Sequence, residues 1–161
     1  VMTQNTDCNF LMSSLLGQDL DEGECAVLAG IMGSRQLQDG EVLVKSGDSS
    51  RTLFVLASGS ITVNSGAVGN DITLFSIRAG ECAGTRAFVE GAPRPATLRA
   101  SGAATVYTLE PEDLESLLET HPHIPYKFMR GLFRQTHSNL VKMDVESQQL
   151  SNYINKTGGR Y

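Results

Sequence analysis

The sequence predicts a mainly β fold with flanking helices: a jelly-roll barrel of the double-stranded β-helix kind, set between N-terminal helices and a long C-terminal helix. Three observations lead there. Turn signals recur about every 8–12 residues between Asp39-Gly40 and Ser101-Gly102, separating short β-rich runs, the spacing of a closed antiparallel sheet and not of alternating βαβ units. Before Gly33 and after Pro111, apolar residues fall instead at three- and four-residue intervals, the helical period. The 161 residues form one domain of ordinary size with a core of its own, read as residues 1–161 throughout.

Each element has its own signal. In residues 1–33, Asn9–Leu16 is apolar, and Asp21-Glu22 opens a stretch with Cys25, Leu28, Ala29 and Met32 on one helical face. The barrel spans 34–110, with strand runs at Val42–Lys45, Thr52–Ala57, Ile61–Asn64, Ile72–Ile77, Thr97–Ala100 and Ala104–Leu109. Between them lie turns at Ser46-Gly47-Asp48, Ser58-Gly59, Ser65-Gly66, Ala79-Gly80 and Ser101-Gly102. Helices return over 111–157. Pro111-Glu112-Asp113 starts the first, with proline in the first turn and acids near the positive dipole end. Leu114, Leu117 and Leu118 give it an apolar stripe, and Pro122 and Pro125 interrupt it. In the last helix Tyr126, Met129, Phe133, Thr136, Leu140, Met143, Ser147, Leu150 and Ile154 form a heptad seam. A helix packed only on its own barrel needs a shorter, broader stripe. The seam therefore predicts a homodimer through residues 126–154, as a parallel pair of helices, in which Thr136 and Ser147 set register.

Composition narrows the function. A net charge of −5 argues against a nucleic-acid-binding surface. No apolar run nears the ~20 residues of a membrane span, and no Lys or Arg precedes Arg35, so a secretory signal is not expected. Cys8, Cys25 and Cys82, odd in number and widely spaced, fit reduced thiols in a cytoplasm. Residues 1–34 hold five acids and no base, whereas 126–161 hold six Lys/Arg against Asp144 and Glu146. These read as two helical faces that complement each other. His121, His123 and His137 all fall in the C-terminal helical part. A metal-dependent, cupin-like enzyme would need them clustered on strands. No nucleophile–base pair suggests itself either, so neither catalysis nor a cofactor is expected.

The most informative stretch is residues 80–97, GECAGTRAFVEGAPRPAT. A small-residue turn reaches Gly84 and enters a short helical segment, Thr85–Glu90; then come the loop Gly91-Ala92-Pro93, Arg94, and the strand opening Ala96-Thr97-Leu98. A helix start offers unpaired N–H groups. An arginine adds a planar, permanently charged fork. The pattern reads as a phosphate cradle on a β scaffold. Thr85 serves either as N-cap or as a ligand contact. Arg86 either pairs with Glu90 or reaches the pocket. Arg94 holds either an anion or a structural salt bridge, and Cys82 near the pocket is a small buried hydrophobe.

Asp39-Gly40-Glu41-Val42-Leu43, Gly47-Asp48, Phe54–Ile61, Ala79-Gly80-Glu81 and Pro93-Arg94-Pro95-Ala96-Thr97 stand in one order, and in this the chain resembles the cyclic nucleotide-binding domain family. That family includes the catabolite-activator type of bacterial regulator and the regulatory subunits of cyclic-AMP-dependent kinase. The resemblance implies a sensor for a cyclic nucleotide such as cyclic AMP, or another anionic effector, signalling through the C-terminal helix. The residues it implicates are Gly84, Thr85, Arg94, Pro95, Ala96 and Thr97, with Thr136 lying over the base. Two positions depart from the family pattern. Thr85 stands where a glutamate accepts the ribose 2′-hydroxyl, and Glu81 is four residues out of register to replace it. Pro95 removes a backbone N–H from the phosphate site. Losing both hydrogen bonds costs roughly 2–4 kcal/mol if the terms add, on the order of 30- to 1000-fold in affinity. The alternative is therefore a degenerate dimerisation and interaction module of the same fold. Cyclic GMP is the poorer candidate, since its selective relatives carry threonine after the arginine. No winged helix-turn-helix follows the long helix before Tyr161, so direct DNA binding is not expected.

Overall fold

The computed structural model describes residues 6–65 and 72–158, with side chains of the last helix described to Val141 and at Gln148 and Gln149. In chain order the elements are α1 (Cys8–Ser13), α2 (Glu22–Ile31), β1 (Gly33–Leu37), β2 (Val42–Val44), β3 (Leu53–Ser65), β4 (Thr73–Ile77), β5 (Cys82–Ala83), α3 (Thr85–Glu90), β6 (Ala96–Leu109), α4 (Pro111–Glu115), a 3₁₀ turn (Ser116–Leu118) and α5 (His123–Gly158).

The sheet is antiparallel and six-stranded. Its path runs β1-β6-β3-β4, with β2 pairing β6 and β5 pairing β3. Two long strands organise it: β3 and β6 stay paired from Leu53↔Leu109 to Ser65↔Ala96. Separate strands, one on each side of Ser58-Gly59, were expected, but β3 is continuous, and so is β6 through Ser101-Gly102. Gly59 is a bulge and not a turn. The register shifts on both sides of Ser58, Gly59 has φ +88°, and a Cβ there would collide with the Ala103 carbonyl of the facing strand. Sequence reasoning also missed β1, whose GSRQL has an irregular pattern with only Leu37 buried. Its pairing with Ala104–Thr108 of β6 makes it a strand.

Burial follows the pleat. In the run Leu53–Leu56, alternate side chains enter two separate cores, which is why that run is apolar at every position. Leu53 and Val55 pack with Leu11, Leu28, Leu109 and Phe128 beneath the helices. Phe54 and Leu56 pack with Leu37, Ile61, Leu98 and Val106 on the other face of the sheet. Each fully buried Leu, Ile or Phe contributes about 1.5–3 kcal/mol.

The N-terminal helices are held by both ends. The Asp7 carboxylate accepts the Phe10 N–H at 3.2 Å. Asp21 and Glu24 form a reciprocal capping box at the start of α2. The complementary charges expected between the two ends of the chain do meet. Lys127 of α5 lies 2.8 Å from Glu24, while Arg134 and Arg130 reach Asp19 at 2.7 and 3.7 Å. Glu24 and Asp19 are consequently held below the ordinary carboxylate range, each chiefly by the hydrogen bond from its basic partner. Pro125 does not interrupt a helix as expected. It lies in the first turn of α5, where no N–H partner is lost.

α5 carries two apolar stripes. Ile124, Phe128 and Leu132 are buried on the domain. Tyr126, Met129, Phe133 and Leu140, the first members of the heptad seam, are exposed, as is Thr136. The seam's later members, Met143, Ser147, Leu150 and Ile154, lie outside the described side chains.

Candidate functional site

The expected cradle opens on a cavity of about 640 Å³ between the turn-and-helix element, β4 and α5, within the ~300–1,000 Å³ typical of small-molecule sites. Gly84 stands at its base with φ +85° as the N-cap of α3. A Cβ at Gly84 would strike the Arg94 guanidinium, so only glycine satisfies both the left-handed backbone and the close approach of that side chain. Thr85 is thus not the N-cap. It is the first residue of α3, with its side chain on the cavity wall. Nor does Arg86 pair with Glu90: among the described residues Arg86 has no ion-pair partner, and it too lines the cavity.

Arg94 is 3% exposed. Its backbone is pinned to the β2–β3 loop, the Arg94 N–H donating to Asp48 O at 2.9 Å and the Arg94 carbonyl accepting from Gly47 at 2.7 Å. One terminal nitrogen, Nη2, donates to the Thr52 carbonyl at 2.7 Å and to Ser50 Oγ at 3.2 Å; Nη1 donates to the Gly84 carbonyl at 3.5 Å. The guanidinium carbon sits 5.5 Å from the Phe54 ring centroid. No carboxylate of the described residues lies within ion-pair distance. The structural salt bridge is therefore absent. Asp48 acts only through a relay, accepting from Ser50 Oγ at 3.4 Å. Burial pulls the guanidinium below the ordinary arginine value, with Asp48 and Glu110 opposing that pull. Nε is buried without a partner. A buried charge that lacks both a counter-ion and one hydrogen bond is costly, and an incoming anion would relieve it.

The other expected residues divide. Pro95 and Ala96 line the cavity beside Arg94. Thr97 does not: strand alternation turns it away, and its Oγ1 accepts from the Ser46 N–H at 3.1 Å. Thr136 lies at the cavity wall with Asn139 and Leu140, although its hydroxyl proton goes to the Leu132 carbonyl at 2.8 Å. Glu81 is tied up in the turn, its Oε1 accepting from the Arg78 N–H at 2.8 Å. Burial pushes the Cys82 thiol up to about 12, so it remains a protonated small hydrophobe. Ser50 and Thr52, which orient Arg94, were missed. The only trace in sequence is the polar loop Asp48–Thr52 ahead of an apolar strand. The apolar wall from β4, Leu74 and Phe75, is exposed at 58% and 57%. It too was not anticipated.

Residues 34–121 match the model of the Cyclic nucleotide-binding domain family. The chain belongs to this family. It is 30% identical over 132 residues to Glutaminase 1 of Bradyrhizobium diazoefficiens, covering 80% of this chain but 21% of that protein. The chain thus spans about a fifth of that relative's length. Among solved structures, a cyclic nucleotide-binding domain from Methylobacillus flagellatus superposes with a TM-score of 0.77 at 19% identity, covering 84% of this chain and 79% of the other. The regulatory domain of Toxoplasma gondii PKA with cAMP superposes with a TM-score of 0.60 at 22% identity, covering 68% and 42%. At these identities the structural likeness is one of fold. No helix among the described residues is long and apolar enough to cross a membrane.

Proposed function

We propose that this domain is a cyclic nucleotide sensor that takes cyclic AMP in preference to cyclic GMP. The cyclic phosphate sits on Arg94, and the base lies between the β4 wall and Thr136, Asn139 and Leu140 of α5. One observation carries the reading: a guanidinium almost wholly buried, with no ion-pair partner among the described residues and an unpartnered Nε, beside a cavity of ligand size. The sheet is then the family's jelly-roll barrel, and residues 1–161 act as a single domain. Signalling runs through α5, because the helix is anchored at one end and contributes cavity wall further on. Ile124, Phe128, Leu132 and the Glu24 and Asp19 ion pairs hold its first turns. Gln135 Nε2 donates to the Gly80 carbonyl at 3.1 Å at the boundary. Ligand moves the helix only by its difference in affinity for two helix positions. The exposed side chains Tyr126, Met129, Phe133 and Leu140 form the homodimer contact. The same reading makes the domain cytoplasmic and non-catalytic, without direct contact to DNA.

A second reading, a degenerate interaction module with an empty pocket, is favoured by one feature. Both Nη groups of Arg94 already hold protein acceptors, and Pro95 offers no N–H to compensate. Calorimetric titration separates the two. Micromolar binding of cyclic AMP that is lost in Arg94→Ala supports the sensor. No heat up to millimolar cyclic AMP or cyclic GMP would leave the interaction module standing.

A further inference from the structure

We propose that the natural ligand carries a second negatively charged group, held by Arg86 at a point apart from the anion on Arg94. This rests on the reading that the Arg94 cavity is the nucleotide site. Charge on the cavity wall is one-sided. Arg78, Arg86 and Arg94 all line it, against Glu81 as the only acid among the described residues. One oxygen of that carboxylate, Oε1, accepts from the Arg78 N–H and holds Glu81 in its turn. Thr85, next to Arg86, offers only a neutral hydroxyl. It has no hydrogen-bond partner among the described residues.

The two arginines differ in capacity. Of the five guanidinium N–H groups, Arg94 has three engaged by Thr52, Ser50 and Gly84. The remainder suffices for one anionic group. Arg86 is the reverse: exposed, on the wall, and unpaired among the described residues, so its whole planar fork is open to a carboxylate or phosphate. A ligand with a single cyclic phosphate leaves Arg86 idle. One with two separated anions, such as a nucleotide bearing a phosphate or an acidic acyl group on its ribose, uses both arginines.

The test compares two ribose-substituted probes of similar size, 2′-O-succinyl cyclic AMP and 2′-O-butyryl cyclic AMP, which differ by one terminal carboxylate. The substituted hydroxyl neighbours the cyclic phosphate, and its flexible arm sweeps the residues flanking Arg94. Calorimetry on the full chain should show the succinyl probe binding about tenfold more tightly than the butyryl probe. Arg86→Gln should bring the two within about threefold without weakening the butyryl probe. Arg86 is exposed, so the thermal transition of the variant should match that of the parent, confirming a folded domain. Equal affinity for both probes in the parent chain, or a succinyl preference that survives Arg86→Gln, would overturn the proposal while leaving the nucleotide site intact. Failure of both probes and of cyclic AMP to bind, or binding indifferent to Arg94→Ala, would instead overturn the site on which the proposal rests.

Discussion

The two ends of α3 each carry an arginine, and the two are used in opposite ways. At the C-terminal end Arg51 donates Nε to the Ala87 carbonyl at 3.2 Å and Nη2 to the Phe88 carbonyl at 3.0 Å. These carbonyls lie in the last turn of the helix, where a cation is favoured by the dipole, and Ala87 O also accepts the Gly91 N–H at 2.9 Å. Arg51 is exposed, and solvent completes its needs. At the N-terminal end Arg94 is buried, has no ion-pair partner among the described residues, and has an unpartnered Nε. The difference teaches that a guanidinium doing structural work sits at the surface with matched acceptors. One kept dry with an open N–H beside a cavity is the feature on which the proposed ligand site rests.

The largest effect should come from Arg94→Ala. Hydrogen bonds to a charged group are worth about 1.5–3 kcal/mol each, so cyclic AMP affinity by calorimetry should fall about 100-fold or more. An unchanged constant would erase the contrast between the two ends. The flanking glycines sharpen it. Gly84→Ala and Gly91→Ala each force a side chain into the left-handed region, φ +85° and +75°, at roughly 1–2 kcal/mol. Urea unfolding should report that loss for Gly91→Ala and a larger one for Gly84→Ala. Only Gly84→Ala also drives a Cβ into the Arg94 guanidinium, whereas at Gly91 the nearest Arg51 atom is an ordinary 3.5 Å away. Ligand binding should therefore weaken in the first variant and persist in the second.

Thr85→Glu should raise affinity for cyclic AMP about tenfold, the worth of one charge-assisted hydrogen bond to a sugar hydroxyl. A fall in affinity would show that Thr85 does not face the ribose. Arg51→Gln should lower stability by about 1 kcal/mol and leave the dissociation constant within threefold. The smallest effect concerns pH and a third kind of charge pairing, the ion pairs between α5 and the N-terminal helices. Asp19 and Glu24 have folded-state pKa values below their ordinary 3.8 and 4.5. Their contribution is complete above about pH 4.5 and is lost as pH falls through the lowered values. Comparing urea midpoints at pH 7 and pH 3, the parent chain should lose more than the Asp19→Asn/Glu24→Gln variant.

Much of the sheet was readable because turn residues and β-rich runs are local signals. Val42–Val44, Thr73–Ile77 and the start of α4 at Pro111 lie where pattern placed them. What escaped was set at a distance. β1 is a strand by virtue of β6, and Gly59 resembles a turn residue until the facing Ala103 backbone is present. At the site, Arg94 was legible from its context within 80–97. Ser50 and Thr52 were not, since they join it from 44 and 42 residues away. The displacement of Thr97 from the cavity follows from strand alternation, and was available to a stricter application of that rule.

The long pairing of β3 with β6, interrupted only by the bulge at Ser58-Gly59, has a consequence for how the molecule assembles. Closure of a short loop costs less entropy than closure of a long one, so this ladder should begin at Ser65 and Ala96 and zip toward Leu53 and Leu109. The β4–α3 segment is then looped out from the first moments of folding, and the Thr52 carbonyl reaches Arg94 only as zipping ends. Hydrogen exchange during refolding should find the Val63 and Leu98 amides protected before those of Phe54 and Thr108.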